Sequence, residues 1–309
     1  MSIIRDTADL PLLEKAAVSI GNFDGVHSGH RVLIRELRDQ ARRLQAPSMV
    51  VTFDPHPVEI LNPTVKLPRL NTIERRAELL ARCGVDHVVV LQSTPELLNL
   101  GYIEFFEKYV VDRFNALALV EGRNFFFGKD RQGNQERLLE LCREHEIQLS
   151  IVDLCKTGEQ ATSSSLIRQL IIEGDLESAN QLLTESYQLI GTVVPGESRG
   201  QSIGFPTANL DKIPVLLPAD GVYGGLARLD GEEIPCAINI GPNPTFGEGK
   251  RKVEVHLIDF ARDLYGRDLR VDLMVRIRGV QKFANLEELV AQIRQDVEEI
   301  MAFLSGLAR

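Results

Sequence analysis

Four cysteines occur in 309 residues, Cys83, Cys142, Cys155 and Cys236, and no two of them form a CxxC pair. That scatter excludes a zinc ribbon or a disulfide framework and predicts buried, reduced thiols. Long hydrophobic runs are missing too, so nothing in the chain is apolar enough to span a bilayer. The opening Met-Ser-Ile-Ile-Arg-Asp-Thr-Ala-Asp carries acidic residues that break a signal-peptide pattern, and a cytoplasmic protein is expected. Basic charge is in deficit, with 35 Lys and Arg against 44 Asp and Glu and a net charge of −9. A nucleic-acid partner needs a basic face and is therefore not expected, whereas a small anionic substrate held by a local cluster of donors is compatible with an acidic chain. Internal repeats and low-complexity tracts are absent.

The length suits two domains, placed at residues 1–185 and 186–309. In the first, β-rich runs at Ala17–Ile20, Met49–Phe53, His87–Leu91, Leu117–Glu121 and Gln148–Val152 alternate with helical patterns at His30–Leu44, Ile73–Cys83, Tyr102–Phe114 and Gln135–His145. The stripe Val32, Leu33, Leu37, Ala41 and Leu44 marks the first helix, and Asn71 with Glu74 reads as the capping box of the second. This alternation predicts an α/β domain with a parallel sheet, whose ligands bind at the carboxyl ends of the strands. Two short helices, Ser163–Glu173 and Leu176–Leu183, flank a stop-and-cap signal at Gly174-Asp175. Short strands at Leu189–Val194, Val222–Leu229, Glu233–Ile240, Val253–Asp259 and Leu269–Ile277 then predict a small antiparallel β-barrel. A C-terminal helix follows, with Leu286, Leu289, Val290, Ile293, Val297, Ile300, Met301 and Leu304 on a face expected to pack on the barrel.

The segment Gly21-Asn22-Phe23-Asp24-Gly25-Val26-His27-Ser28-Gly29-His30 lies where the first strand hands over to the first helix. Its glycines permit close approach of backbone to ligand, and the following helix start offers free N–H groups and a positive dipole end. His27 and His30 add donors that suit charge developing at an α-phosphate. Outside this context a Gly/Asn/Asp loop is merely a turn; between a strand and a helix it has the setting of a phosphate-binding loop.

Residues 20–30 resemble the signature of the bacterial bifunctional riboflavin kinase/FMN adenylyltransferase family, within the HxGH nucleotidyltransferase superfamily. The resemblance implies a Rossmann-like first domain with catalytic His27 and His30, and gives Gly21, Asn22, Phe23, Asp24 and Gly25 to ATP. Three further segments match in order: Thr52–Pro57, Glu121–Gly128 and Thr162–Arg168. By the same resemblance Asp54, His56, Pro57, Asn124, Phe125 and Phe127 contact the flavin, and Ser163, Ser164, Ser165 and Arg168 the ATP phosphates. Taken alone, the phenylalanines read equally well as core and the serines as helix caps.

The second half resembles riboflavin kinases in Gly196–Gly200, Gly204–Leu210, Gly221–Tyr223, Asn239–Phe246 and Val253–His256. That implies an ATP-binding group of Gly196, Arg199, Gly200, Gly204 and Pro206. Thr207 and Asn209 offer neutral oxygen ligands suited to Mg2+ carrying ATP. Strand alternation puts Glu254 and His256 on one face; taken alone Glu254 reads as a solvent-facing strand residue, whereas the resemblance makes it the general base at the barrel mouth. The implied substrates and products are riboflavin, FMN, FAD and ATP. The chain departs from the family at Thr184–Tyr187 and Arg278–Phe283. Competing readings are a family member with one activity lost, a flavin-binding regulatory protein, or an aminoacyl-tRNA synthetase, the last disfavoured by the acidic charge. Oligomeric state is not legible in the sequence.

Overall fold

In the computed structural model the described residues are 2–5, 15–153, 156–157, 160–197, 199–243 and 248–307. They divide into two compact units, residues 1–68 with 72–164, and residues 69–71 with 165–309.

The first unit is a six-stranded parallel sheet in the order β1-β4-β3-β2-β5-β6. Its strands are β1 Ser2–Arg5, β2 Ala16–Ile20, β3 Ser48–Asp54, β4 His87–Gln92, β5 Ala116–Gly122 and β6 Gln148–Val152. The central β2 is buried at all five positions, as a strand covered on both faces must be. Ala16, Val18 and Ile20 pack with Phe105, Phe106, Val110, Phe114, Leu138 and Leu141 on one side. Ala17 on the other side joins Leu33, Ile34, Leu37, Ala41, Ala77 and Leu80.

Helices α1 Ser28–Leu44, α2 Pro57–Leu61, α3 Ile73–Arg82, α4 Pro95–Leu98, α5 Tyr102–Phe105 and α6 Gln135–Glu144 connect these strands. The buried face of α1 adds Ile34 to the expected Leu33, Leu37 and Ala41; Leu44 packs half-buried against the same core, and Val32 is half-buried. The cap of α3 is Thr72, whose hydroxyl accepts from Arg75 N, one residue after the expected Asn71. The expected helix over 102–114 is α5 followed by wider, π-type turns over Phe106–Arg113. Those turns keep Phe106, Val110 and Phe114, spaced by four, on the core side. Edge strand β1 was not legible in the sequence; it pairs in parallel with β4, from Ser2↔His87 to Arg5↔Val90.

A small hairpin, β7 Lys156–Thr157 with β8 Gln160–Ala161, precedes the helices α7 Ser164–Glu173 and α8 Leu176–Leu182. Asp175 caps α8 by accepting from Ser178 N, and Gly174 at φ 81° ends α7, as the Gly-Asp signal predicts. Strands β9 Tyr187–Val194, β10 Ala208–Asp211, β11 Gly221–Leu229, β12 Glu232–Asn243, β13 Glu248–Leu257 and β14 Asp268–Arg278 close into a barrel. Its order is β10-β13-β12-β11-β14-β9, with β9 and β10 pairing to complete the ring.

Every pair in the barrel is antiparallel. Its apolar core includes Leu189, Tyr223, Cys236, Ile238, Val255 and Val271, and Ile167, Ile171, Leu176 and Leu182 from α7 and α8 join it. Those two helices therefore pack with the barrel, so the packing division at 164/165 differs from the expected functional division at 185/186.

A four-residue helix, α9 Arg199–Ser202, lies between β9 and β10, and α10 Leu286–Leu307 ends the chain. Only Ile300 of the predicted α10 stripe is fully buried, while Leu286 and Met301 are exposed. A bidentate pair fastens the helix instead: Arg278 Nη2 and Nε donate to Asp296 at 2.8 and 2.9 Å. Cys142 and Cys236 are buried and Cys83 is half-buried, all three as free thiols; Cys155 lies outside the described residues.

Candidate functional site

Seven residues link β2 to α1, and their path is set by apolar anchors. Phe23 and Val26 are buried at φ 48° and 38°, around Gly25 at φ 88°. The turn delivers His27 to the N-cap of α1, where it is 3% exposed. His30 lies one turn on, and the two imidazoles stack with centroids 3.7 Å apart. His27 N donates to His30 Nδ1 at 3.3 Å. A neutral imidazole that accepts at Nδ1 carries its proton on Nε2, so the bond fixes the tautomer of His30. Gly29 makes room for the pair: a Cβ there would lie 3.2 Å from both Nδ1 and Cε1 of His27.

Burial holds His27 down to about 4, against a smaller opposing pull from Asp24. His30 is pushed well below the ordinary imidazole range by burial first, then by His27 and Arg76. Both rings are therefore neutral at pH 7 without ligand, and they act as N–H donors rather than as cations.

A buried arginine that the sequence reading passed over braces this loop. Arg76 on α3, 5% exposed, reaches Asp24 Oδ1 through Nη2 at 3.2 Å and donates from Nη1 to Thr52 Oγ1 at 2.9 Å. Thr52 Oγ1 in turn donates to Asn22 O at 2.9 Å. Its signal was present in the pattern, since Arg76 interrupts the apolar face formed by Ile73, Ala77 and Leu80. Ser164 Oγ donates to Asp24 O at 2.7 Å, and Ser28 Oγ to Thr162 Oγ1 at 3.3 Å. Thr162 and Ser164 are thus tied to the same turn. Ser163 is half-buried beside it, while Ser165, exposed, and Arg168, half-buried, belong to the second unit.

At the carboxyl end of β3, Asp54 and Pro57 are half-buried, and His56 caps α2 by accepting from Val58 N at its Nδ1. The loop after β5 divides its aromatic residues. Phe127 is buried against Phe105 and Tyr102, and Phe125 stacks on it with centroids 5.6 Å apart. Phe126 is the exposed ring, at 44%, with the Arg131 guanidinium 4.4 Å over it; Asn124 is exposed as well.

In the barrel unit, Asn209 on β10 and Asn239 on β12 both stand opposite Glu254 on β13. Asn239 Nδ2 donates to Glu254 Oε2 at 3.4 Å. Glu254 occupies the face of β13 turned away from Val253, Val255 and Leu257, which enter the apolar core. Glu254 is half-buried on that face, outside the apolar core. His256, on the same face, makes a 2.8 Å bond from Nδ1 to Pro206 O, and its ring meets Phe205 edge-on.

Gly196 lies against the Asn209 side-chain amide, which would have to move aside for a Cβ at that position. Gly200 closes a turn in which Phe205 N donates to Gly200 O at 2.8 Å. Gly204, Pro206 and Thr207 are exposed beyond it. The Arg199 side chain, Ser198 and residues 244–246 of the matched Asn239–Phe246 segment lie outside what is described.

Two family models match the chain, FAD synthetase over residues 10–166 and riboflavin kinase over residues 183–304. The bifunctional riboflavin kinase/FMN adenylyltransferase of Escherichia coli (strain K12) is 35% identical over 299 residues, covering 96% of each chain. The protein of that name from Pseudomonas fluorescens is 35% identical, covering 100% of this chain and 99% of its own. The chain belongs to the bifunctional riboflavin kinase/FMN adenylyltransferase family.

A solved structure described as a macrolide-efflux protein from Streptococcus pneumoniae also matches this family member. Its TM-score is 0.87 at 31% identity, covering 96% of this chain and 97% of that one. Among the described residues no helix is long and apolar enough to cross a membrane. The two family matches separate the two constellations: the stacked histidines fall within the FAD synthetase match, and the Asn209–Glu254–Asn239 row within the riboflavin kinase match.

Proposed function

We propose that the barrel unit phosphorylates riboflavin to FMN and that the parallel-sheet unit transfers the adenylyl group of ATP to FMN, giving FAD and pyrophosphate. The observation that carries this reading is the pairing of each family match with its own polar constellation. We keep the functional division at 185/186, close to residue 183, where the riboflavin kinase match begins.

In adenylyl transfer the FMN phosphate oxygen attacks the α-phosphorus and pyrophosphate leaves. No hydroxyl proton has to be removed, so stabilising charge on the α-phosphate is the main task. Neutral His27 and His30 donate N–H bonds to that group, and the Gly21–Gly25 backbone and the N-terminus of α1 supply further donors. The Arg76–Asp24 ion pair makes Asp24 a brace of the loop. Ser163, Ser164, Ser165 and Arg168 take the leaving phosphates. Asp54, His56, Pro57, Asn124 and Phe125 contact the flavin; Phe127, buried, supports Phe125 from below.

In the barrel, Glu254 accepts the proton of the riboflavin terminal hydroxyl as that oxygen bonds to the γ-phosphorus and ADP leaves. Gly196, Arg199, Gly200, Gly204 and Pro206 form the nucleotide flap. Thr207 and Asn209 fit Mg2+: both offer hard, neutral oxygen, and Asn209 stands beside the Glu254 carboxylate. Among the described residues no cluster of three His, Cys, Asp or Glu competes for a metal. Bound magnesium would neutralise phosphate charge. The enzyme is placed in the cytoplasm, acting on small molecules with no nucleic-acid or membrane partner, in keeping with its net charge of −9.

Each half-reaction can be assayed alone. Riboflavin with Mg-ATP should give FMN, and FMN with Mg-ATP should give FAD and pyrophosphate. Absence of either product would remove the assignment of that unit.

A further inference from the structure

Glu121 is a carboxyl group for which the reaction has no use, yet it is 1% exposed on β5 in the middle of the parallel sheet. The pairing of β2 with β5 runs Ala16↔Ala116, Ala17↔Ala118, Val18↔Leu119 and ends there, after an irregularity at its start. On its other side β2 stays paired with β3 as far as Ile20↔Val51, and Gly21 N donates to Val51 O at 2.9 Å. Backbone donors alternate sides along a strand, so the N–H of Ile20 turns toward β5, where the ladder has already stopped. The Glu121 carboxyl fills that vacant acceptor position: Ile20 N donates to its Oε1 at 2.8 Å. Without an acceptor, a buried N–H would lie unsatisfied at the last residue before the phosphate loop.

We infer that Glu121 is a positioning residue for adenylyl transfer, holding the end of β2, and with it the Gly21–His27 turn, against the strand that carries the Asn124–Gly128 loop. The inference rests on the adenylyltransferase reading of the His27 site. One side chain thereby joins the bases of the phosphate loop and the aromatic loop. Burial pushes the carboxyl well above its ordinary range, and the Ile20 N–H opposes this only in part. Glutamine keeps an acceptor oxygen at the position that Ile20 N reaches.

The test compares Glu121→Gln with Glu121→Met in the full-length chain. Methionine fills similar space and has no oxygen. Glu121→Met should lower kcat for FAD from supplied FMN by roughly tenfold to a hundredfold, the scale of a displacement near 1 Å, with KM for FMN and ATP nearly unchanged. Glu121→Gln should restore kcat to near the wild-type value, and riboflavin phosphorylation should be unchanged in both. Exchange of the Ile20 amide hydrogen should be slow in wild type and Glu121→Gln and faster in Glu121→Met. A wild-type kcat in Glu121→Met, or equal losses in both variants, would overturn the inference. Unfolding of the first unit in Glu121→Met alone would also overturn it, by making the bond a stability element. Failure of the wild-type chain to make FAD at all is a separate result that removes the adenylyltransferase reading itself.

Discussion

Asn209 and Glu254 face each other across the β10–β13 pair, in register, with Asn239 completing the row on β12. Opposed residues in an antiparallel pair have Cβ atoms about 5 Å apart. The amide that would hold magnesium and the carboxylate that would take the hydroxyl proton are therefore neighbours on one surface. Their reach is fixed by β-pairing rather than by a loop.

Asn209→Ala should weaken the use of Mg-ATP in making FMN, seen as a higher KM for Mg-ATP in the riboflavin assay. FAD formation from supplied FMN should change little, because His27 and His30 belong to the other unit. Equal losses in both assays would indicate misfolding or one shared nucleotide site.

Glu254→Gln keeps the shape and the hydrogen-bond reach of the side chain but cannot accept the proton. Riboflavin phosphorylation should fall by about 10²–10⁴-fold, the usual contribution of a general base, while adenylylation of supplied FMN continues. A rate close to wild type would exclude Glu254 as the base and pass the role to His256, which shares its face.

His27→Ala and His30→Ala should each lower FAD formation by about 10²–10³-fold, the loss seen when one preorganised donor to a developing oxyanion is removed. FMN should accumulate from riboflavin at the wild-type rate, as flavin separation by chromatography would show. Unchanged FAD synthesis in both variants would refute the assignment.

The two histidines also give the ligand-free first unit a pH dependence. The pKa of His27 is lowered from 6.5 to about 4 and that of His30 is lowered as well, so between those limits the unfolded chain binds more protons than the folded one. Stability therefore rises with pH through this window and falls on acidification from 6.5 toward 4, by up to about 3 kcal/mol from His27 alone. Melting temperatures of the wild type between pH 7.5 and 4.5 should drop more steeply than those of a His27→Gln/His30→Gln double variant. Parallel curves would show that the imidazoles are not held neutral by the fold.

Local order carried most of what the sequence revealed. The Gly/His turn between a strand and a helix and the alternation of Glu254 with Val253 and Val255 are periodic or adjacent features, and both elements are present as read. Pairings between distant residues were not legible. Arg76 meets Asp24 across 52 positions, and β1 finds its partner more than 80 residues away in β4. Choices within a run were equally hidden: three consecutive phenylalanines gave no sign that Phe127 turns inward and Phe126 outward. The alternation of β13 likewise showed which residues share a face with Glu254, but not that strand pairing sets Asn209 and Asn239 opposite it.

Two separate sites on one chain form the central claim, and complementation tests it most directly. Purified His27→Ala should convert riboflavin and Mg-ATP to FMN and stop. Purified Glu254→Gln should leave riboflavin nearly untouched over the same time. Mixed together, the two variants should make FAD from riboflavin, since FMN released by one intact barrel can diffuse to the intact adenylyltransferase site of the other. A mixture that yields no FAD, although each variant retains its own remaining half-reaction, would contradict the account.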